Sequence, residues 1–342
     1  MSELFYYLLF FFISIGVSFY LNGHLFGIFS NSKMLDPIND RSSHKAKATR
    51  TGGLSLFLTI CLGYAFASSA GFLKVPNNLV ALGVVLMTLM GFIDDLFNIK
   101  YQEKFFLQLF AGFVVIQGGW SINSFYGIFG IFEIPYWLGF LVSMFVFIVI
   151  VNAVNLIDGL DGLASLISIN FFLIIGGIIL VSNKELFLFF PIIVGSLIGF
   201  LVHNFRASKK VFLGDSGSLL LGSLMAVFTI YILDSSTFVV TDIYISRPLL
   251  MVLSVFYPLL DTLRAVILRT YKGQSPFVAD RVHLHHKLVD KGYEHWAASL
   301  LILCFSVFLV IINFLLYVKI GLLFCVVMTV VLCLIIYRFL FR

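Results

Sequence analysis

The sequence predicts an all-α, polytopic membrane protein whose single domain spans residues 1–342. Hydrophobic residues make up 61% of the chain, charged residues make up 11%, and phenylalanine alone occurs 40 times. Soluble domains are closer to half apolar and a quarter charged. Runs of about 20 apolar residues also recur along the chain, and a helix of that length crosses the hydrocarbon core with its backbone hydrogen bonds satisfied.

About eleven transmembrane helices are expected from these runs. The first run continues past the length of a signal peptide without a small-residue cleavage site, so we expect it to be retained. The four cysteines lie within apolar runs, where they act as small hydrophobic residues rather than as disulfide partners. The predicted spans are residues 4–28, 53–72, 78–93, 105–118, 136–153, 163–181, 186–203, 216–233, 247–268, 296–316 and 320–337.

The distribution of positive charge predicts how the chain is oriented in the membrane. If successive loops alternate between the two sides, 18 of the 22 Lys and Arg residues lie on one side, and only Lys74, Lys184, Arg247 and Lys319 lie on the other. The positive-inside rule makes the basic side cytoplasmic, which places the N-terminus outside and the C-terminus in the cytoplasm. Because this rule accounts for the net charge of +5, no nucleic-acid partner is expected.

Five polar segments fall on the predicted cytoplasmic side and indicate a site there. In VNAVNLIDGLDG at 151–162, Asn152, Asn155, Asp158 and Asp161 recur at every third position. An unbroken helix would spread these four side chains over about half of its circumference, so the glycines of this segment are expected to let the chain leave helical geometry. The five segments are residues 30–52, 94–104, 152–162, 204–217 and 269–295.

Carboxylates and cations crowded at one membrane face favour a metal-assisted reaction on a phosphorylated substrate. Adjacent Asp94 and Asp95, together with Asp158, Asp161 and Asp215, offer oxygen ligands of the kind that Mg²⁺ prefers. Mg²⁺ usually takes one or two carboxylates plus substrate phosphates. The GDSGS sequence is also expected to bring backbone N–H groups to the start of the eighth span, where a helix N-terminus favours an anion.

Each of these patterns also has an ordinary structural explanation. Asp-Gly steps are common in turns, and a carboxylate at the end of a span often only faces solvent. His283, His285 and His286 fit either zinc ligands or phosphate contacts, and the latter are favoured because no cysteine lies on this face. The coincidence of five polar segments on one face is what favours a functional site.

Four sequence motifs narrow the function further. They are FIDD at 92–95, NAVNLIDGLDGLA at 152–164, FLGDSGSLLLG at 212–222 and SPFVADRVHLHHKL at 275–288. In order and spacing, over nearly the whole chain, they resemble the cytoplasmic signatures of the polyprenyl-phosphate N-acetylhexosamine-1-phosphate transferases, glycosyltransferase family 4. The HLHH sequence and the eleven spans resemble the WecA and TagO branch, which is related to MraY.

The resemblance implies a reaction, a cofactor and a location. N-acetylhexosamine-1-phosphate, most simply GlcNAc-1-phosphate, would pass from a UDP-sugar to undecaprenyl phosphate with release of UMP, which starts O-antigen, teichoic acid or a related surface glycan. Mg²⁺ is the implied cofactor, with Mn²⁺ as an alternative. The expected location is the bacterial plasma (inner) membrane, with multiple spans and an active site that faces the cytoplasm, and a homodimer is an expected assembly.

The resemblance also implies roles for individual residues. Asp215 is expected to be the leading Mg²⁺ ligand with Asp95 as a second ligand, and Asp94 with Asp95 is expected to form the catalytic pair on the acceptor side. Asp158, Asp161 and His283 are the further residues expected in catalysis. The residues expected to bind substrate are Asn152, Asn155, Phe212, Lys104, Arg281, His285 and His286.

Two departures from the family pattern leave the sugar open. Thr49 occupies a position where proline is common, and RSSH at 41–44 resembles relatives that use other N-acetylated UDP-sugars, such as FucNAc or QuiNAc donors. The chemistry is expected to be a direct transfer, because a phosphate monoester is mostly dianionic at pH 7. Such an acceptor hardly needs a strong base, so Asp94 or Asp95 is expected to position groups or handle protons.

Three other classes of protein fit the sequence less well. A secondary transporter should place its ionisable groups near the middle of the membrane in broken helices, whereas here they cluster at one interface. A structural scaffold would need none of these carboxylates. The CDP-alcohol phosphotransferases also use an Asp-Gly-rich magnesium site, but their Ala-Arg step after the first Asp-Gly is missing here.

Overall fold

The computed structural model describes residues 3–31, 35–36, 48–73, 77–236, 245–274 and 283–338. Within these residues, eight helices are long and apolar enough to cross a membrane, or nine if one bent pair counts as a single span. The predicted all-α, multi-pass membrane architecture is therefore confirmed. The total of eleven spans and the orientation of the termini stay predictions.

Most of the long described helices follow the predicted spans to within a few residues, because a long apolar run sets the extent of each helix. α4 has 17 residues, which is at the lower end of the length expected of a span. The helices are α1 (Glu3–Phe29), α2 (Gly52–Ser69), α3 (Asn78–Phe97), α4 (Tyr101–Gln117), α5 (Tyr136–Leu156), α6 (Leu163–Ser182), α7 (Lys184–Phe187), α8 (Phe189–Asn204), α9 (Gly214–Leu233), α10 (Arg247–Ser254), α11 (Phe256–Tyr271), α12 (Leu284–Asp290) and α13 (His295–Ile336).

The last two predicted spans both lie within α13, which is 42 residues long and is interrupted by non-helical geometry at Gly321. In a straight helix, residues sixteen positions apart would lie about 24 Å apart. Yet Asn313 Nδ2 donates a hydrogen bond to Thr329 Oγ1 at 2.9 Å. The chain therefore reverses direction near Gly321, and α13 is a hairpin of two arms that correspond to the spans predicted at 296–316 and 320–337.

The single span predicted at 247–268 is instead a bent pair of helices. α10 and α11 meet at an angle of 73°. Pro258, in the first turn of α11, has no N–H for the carbonyl group four residues earlier, and its ring clashes with that carbonyl. Proline therefore accounts for a bend at this place in the chain.

α9 lies at the centre of the bundle, and its residues from Ser216 to Leu233 are all buried. α2 and α3 approach its first turn without intervening side chains. A Cβ atom on Gly53 would lie 2.0 Å from the backbone nitrogen of Gly217, and one on Gly91 would lie 2.4 Å from the carbonyl oxygen of Asp215. These glycines let three helices meet where the GDSGS sequence begins.

Three two-residue strands join the first polar segment to the fourth. β2 (Ala48–Thr49) pairs antiparallel with β1 (Leu35–Asp36) and parallel with β3 (Lys210–Val211). The ladder continues into the N-terminus of α2, because Gly52 donates its N–H to the carbonyl of Phe212 at 3.0 Å. The small sheet holds the beginnings of α2 and α9 side by side.

We expect cysteines at positions 313 and 329 to form a disulfide, because their side chains meet across the hairpin. The test combines Asn313→Cys with Thr329→Cys in a chain whose native cysteines are replaced, and mass spectrometry of linked peptides measures the bond. Asn313→Cys with Val327→Cys is the matched control, since Val327 is exposed. Linkage no greater in the test pair than in the control pair would contradict the hairpin.

Candidate active site

The carboxylate of Asp95, near the end of α3, holds the N-terminal end of α9. Its Oδ1 accepts the backbone N–H of Asp215 and its Oδ2 accepts that of Ser216, both at 2.9 Å. The first N–H groups of a helix lack partners within the helix, and negative charge is favourable there. The anion bound by the GDSGS backbone is therefore Asp95 itself. Its role as a second metal ligand stays a prediction.

Asp94 and Asp215 converge on a single ammonium group. Lys104 Nζ forms an ion pair with Asp94 Oδ2 and lies 3.7 Å from Asp215 Oδ2. Asp94 is also fixed through Oδ1, which accepts the N–H of Ile99 at 2.7 Å. Asn98 ends α3 in the left-handed region, with φ 51°, and turns the chain so that α4 can return Lys104 to the carboxylates. The structure thus brings three predicted site residues together.

The two predicted asparagines of α5 have different surroundings. Asn155 Nδ2 donates to Asp215 Oδ1 at 2.6 Å and to Ser218 Oγ at 2.8 Å, so Asn155 belongs to the same cluster. Asn152 pairs instead with Gln108: its Nδ2 donates to Gln108 Oε1 at 2.7 Å, and Gln108 Nε2 donates back to its Oδ1 at 3.2 Å. This amide pair joins α5 to α4, and a substrate-binding role for Asn152 stays a prediction.

Residues 157–162 form the turn between α5 and α6, so the helix break expected from the Asp-Gly steps is confirmed. Gly162, with φ 75°, adopts the left-handed conformation that leads the chain into α6. Ser299 on α13 donates its hydroxyl to the carbonyl of Asp161 at 2.8 Å. We call these six residues the Asp158 turn.

The two carboxylates of the Asp158 turn have opposite electrostatic environments. Asp161 Oδ2 accepts Lys210 Nζ at 2.6 Å and lies 3.2 Å from His295 Nδ1. Burial alone would raise the pKa of Asp161, but hydrogen bonds and positive charge from His295 and Lys210 lower it. Burial and the negative charge of neighbouring carboxylates, Asp215 foremost, raise the pKa of Asp158 well above its ordinary value. Asp161 is therefore an anion with Lys210 and His295 as partners, whereas the surroundings of Asp158 disfavour its ionised form.

The three predicted histidines lie at the start of α12. His283 precedes this helix and is buried, with Nδ1 2.9 Å from Asp261 Oδ2. His285 is fully buried, and burial lowers its pKa more than the nearby Asp261 raises it. A Cβ on Gly159 would lie 2.6 Å from His285 Nε2 and 3.4 Å from His286 Cε1. His285 and His286 therefore pack against the Asp158 turn.

Asp261 on α11 and His295 on α13 contact this region without having been predicted as site residues. Asp261 did carry a signal, because an ionisable group within an apolar helix is rare and is usually paired. Its neighbours in the sequence FYPLLDTL are mostly apolar. His295 carried no such signal, since a histidine at the start of a helix is unremarkable without the tertiary contact to Asp161.

The ring centroid of Phe212 lies 5.6 Å from Lys210 Nζ, the ammonium that pairs with Asp161. The ring is partly exposed, which is compatible with stacking on a planar ligand. Arg281 lies outside the described residues, as do the RSSH sequence and residues 275–280. The predicted roles of these groups stay predictions.

Asp94 and Asp215 are the two residues whose carboxylates suit a magnesium ion. Among the described residues, no three side chains of the His, Cys, Asp or Glu type converge as a metal-binding group. Mg²⁺ needs fewer protein ligands than that, because it usually keeps water and substrate phosphate oxygens. The Oδ2 atoms of Asp94 and Asp215 already flank one cation, the ammonium of Lys104. The donor set therefore suits a hard cation that binds together with a phosphorylated substrate.

The chain is similar to known transferases. The sequence model of glycosyl transferase family 4 matches residues 78–233. A decaprenyl-phosphate N-acetylglucosaminephosphotransferase of Mycolicibacterium smegmatis is 31% identical over 291 residues, which cover 77% of this chain and 70% of that protein. A probable undecaprenyl-phosphate N-acetylglucosaminyl 1-phosphate transferase of Bacillus subtilis is 28% identical over 277 residues, covering 78% and 73%. An undecaprenyl-phosphate alpha-N-acetylglucosaminyl 1-phosphate transferase of Escherichia coli K12 is 26% identical over 280 residues, covering 79% and 72%.

We expect Asp158→Asn and Asp161→Asn to change stability in opposite directions at pH 7 without metal or substrate. Folding raises the pKa of Asp158 above its unfolded value of about 3.9, so at pH 7 the ionised carboxylate destabilises the folded protein. The uncharged side chain of Asp158→Asn should therefore raise the melting temperature. The folded state lowers the pKa of Asp161, whose charge stabilises the fold above the same unfolded pKa, so its amide should cost about 1–3 kcal/mol.

Thermal unfolding in detergent with a chelator, from pH 7 down to pH 3, measures both effects. The gain from Asp158→Asn should disappear as the pH falls through the unfolded pKa, and the loss from Asp161→Asn should shrink as the pH falls through its lowered folded pKa. Equal effects of the two substitutions at pH 7 would contradict the opposite environments described for this turn.

Proposed function

Because this chain belongs to glycosyl transferase family 4 and is a phosphotransferase enzyme, we propose that it transfers GlcNAc-1-phosphate from UDP-GlcNAc to undecaprenyl phosphate and releases UMP. The names of the similar proteins support the choice of sugar, since each specifies an N-acetylglucosamine group and a prenyl phosphate. The observation that carries the proposal is the convergence of the Asp94 and Asp215 carboxylates on one cation at the start of α9.

The proposed magnesium ligands are Asp215 and Asp94, with Asn155 orienting Asp215 through the 2.6 Å hydrogen bond to its Oδ1. When bound, Mg²⁺ would neutralise phosphate oxygens and so reduce the repulsion between two anionic substrates. Asp95 keeps Asp215 in place by holding the backbone at the start of α9. Lys104 would release part of its contact with the carboxylates and place its positive charge on a phosphate group.

We propose a single displacement. A phosphate oxygen of the lipid attacks the β-phosphorus of the UDP-sugar, the bond from that phosphorus to the bridging oxygen breaks, and UMP leaves with the bridging oxygen. The acceptor is mostly dianionic at pH 7, so no base has to remove a proton before attack. Positive charge and correct alignment are the main requirements of such a reaction.

The proposed location is the bacterial plasma membrane, with the site on the cytoplasmic side and the product used to start a surface glycan. The positive-inside rule supports this orientation, because the basic residues concentrate in the polar segments that contain the site. The positions of the carboxylates argue against a transporter, because they lie at the ends of helices. Asp94 and Asp95 lie near the end of α3, and Asp215 lies in the first turn of α9. Transporter sites lie near the middle of the membrane instead.

We expect purified protein to form lipid product and UMP from undecaprenyl phosphate, Mg²⁺ and UDP-GlcNAc, and to use other UDP-N-acetyl sugars poorly. Asp215→Asn should lower turnover by about a hundredfold or more, because an amide cannot supply the anionic oxygen that a hard cation prefers. Asp234→Asn is the matched control: Asp234 is a buried carboxylate at the other end of α9. Products are quantified by chromatography.

Normal turnover of Asp215→Asn with unchanged metal dependence would overturn the role of Asp215. Faster transfer from a FucNAc or QuiNAc donor than from UDP-GlcNAc would overturn the choice of sugar and leave the reaction in place. No transfer from any UDP-sugar by a folded wild-type protein would overturn the proposed reaction.

The single displacement makes a separate prediction about isotope exchange. Labelled UMP should enter UDP-GlcNAc only when undecaprenyl phosphate is present, because without the acceptor there is no half-reaction to reverse. A covalent phosphosugar on Asp94 or Asp95 would instead permit exchange with UDP-GlcNAc and Mg²⁺ alone. The preparation must be shown to be free of lipid by mass spectrometry. Acceptor-independent exchange that Asp94→Asn or Asp95→Asn abolishes would show a double displacement.

A further inference from the structure

Asp261 is a fully buried carboxylate on α11, and its hydrogen-bond and ion-pair partners among the described residues lie at the beginning of α12. Its Oδ1 accepts the backbone N–H of Leu284 at 2.7 Å, and its Oδ2 lies 2.9 Å from His283 Nδ1 and 3.4 Å from His285 Nδ1. A buried charge is tolerated when it is paired and hydrogen-bonded. Asp261 therefore ties the bent α11 to the helix that carries the histidines.

His283 is engaged at both ring nitrogens. Arg269 Nη2 lies 3.4 Å from His283 Nε2, and a guanidinium can only donate, so Nε2 is the acceptor. Nδ1 then carries the proton and donates it to Asp261. Because Arg269, His283 and Asp261 are all buried, this chain of contacts anchors the start of α12.

His285 differs because, within the part of the chain that the structure describes, one of its ring nitrogens has partners and the other has none. Its Nδ1 lies near Asp261 and 3.5 Å from the hydroxyl of Tyr257. Its Nε2 is buried, has no hydrogen-bond partner among the described residues and faces Gly159 of the Asp158 turn. Gly159 does not have a positive φ, so it is the absence of a side chain that matters at this position. A methyl group there would lie 2.6 Å from Nε2 and would displace either the ring or the turn.

These contacts form a continuous path from α11 to the site carboxylates. Asp261 orients His285, the His285 ring packs on Gly159, and Gly159 follows Asp158 directly. The turn itself follows directly on the end of α5, where Asn155 donates a hydrogen bond to Asp215 Oδ1 at 2.6 Å. We propose that Asp261 is a positioning residue that acts through His285 to hold the Asp158 turn beside Asp215, where the donor nucleotide-sugar binds. The proposal rests on the proposed function for the identity of that substrate.

Asp261 acts through another residue rather than on the substrate, because Asp261 and His285 are both fully buried. Loss of the carboxylate should therefore change how well the turn is placed and leave the groups that bind the lipid acceptor unchanged. A shifted turn weakens donor binding, so the KM for the UDP-sugar should rise while the KM for undecaprenyl phosphate stays constant. Partial unfolding would instead reduce the fraction of active protein. That loss lowers the apparent kcat and changes neither KM.

The experiment compares Asp261→Asn, Asp261→Glu and Gly159→Ala with wild type and with Asp234→Asn, the control for loss of a buried carboxylate away from the site. We expect Asp261→Asn to raise the donor KM by roughly tenfold, as is typical when an outer partner of a site residue is lost. Asp261→Glu should recover part of this effect because it restores the charge. Gly159→Ala should raise the same KM, and the double variant should show less than the product of the two effects.

Histidine NMR provides a second readout that does not depend on activity. In ¹⁵N-histidine-labelled protein, assigned with His283→Gln and His285→Gln, both rings should carry the proton on Nδ1, and Asp261→Asn should redistribute it. An unchanged donor KM in both Asp261→Asn and Gly159→Ala, or unchanged histidine tautomers in Asp261→Asn, would overturn the proposal. If wild type transfers no sugar, the proposed function fails, and the tautomers alone then decide whether Asp261 orients His285.

Discussion

The hydrogen bonds from the first N–H groups of α9 to the Asp95 carboxylate fix the position of the rest of the site. Asp215 is one of the two residues whose N–H groups are held, so its side chain is placed by the same contact. Asn155 and Lys104 then meet Asp215 from α5 and α4. Without the helix N-terminus, a carboxylate as buried as Asp95 would lack compensation for its lost hydration. The helix end and the carboxylate thus require each other.

The acidic residues of the site divide into two groups by the way their charge is balanced. Asp95, Asp161 and Asp261 have protein donors or cations as partners, and they hold helices and turns in place. Asp94 and Asp215 share one ammonium, and the surroundings of Asp158 disfavour its ionised form. Arg50 adds further positive charge near Asp215. Under the proposed function, a divalent cation that arrives with a phosphorylated substrate would add to the positive charge beside Asp94 and Asp215.

The hydrocarbon thickness of the membrane explains why the sequence predicted the helices well. It sets the length of each apolar run, and alternation of spans is enough to bring distant polar segments to one face. Asn152 and Asn155 show where this reasoning stops. Residues three positions apart on a helix point about 60° apart around its axis. Because α5 continues without a break past both asparagines, Asn155 faces Asp215 whereas Asn152 contacts Gln108.

Tertiary contacts decide the features that sequence reasoning missed. Periodicity does not reveal that Asn313 and Thr329 meet across a hairpin, or that Asp261 reaches the backbone of Leu284. The bend between α10 and α11 did have a local cause in Pro258, but its angle depends on what the two helices pack against. Pairs of polar groups far apart in the sequence are specified by the assembled bundle.

The Asp158 turn connects the two parts of the chain on which the site depends. The family model covers residues 78–233, which contain the carboxylates from Asp94 to Asp215. Support for the turn comes from beyond that region, through His285 on α12 and Ser299 on α13. Because α12 is only seven residues long, its own backbone hydrogen bonds are too few to keep it folded in place. The buried Asp261 carboxylate supplies what the short helix lacks, and the geometry of the carboxylate cluster therefore depends on packing between α11 and α12.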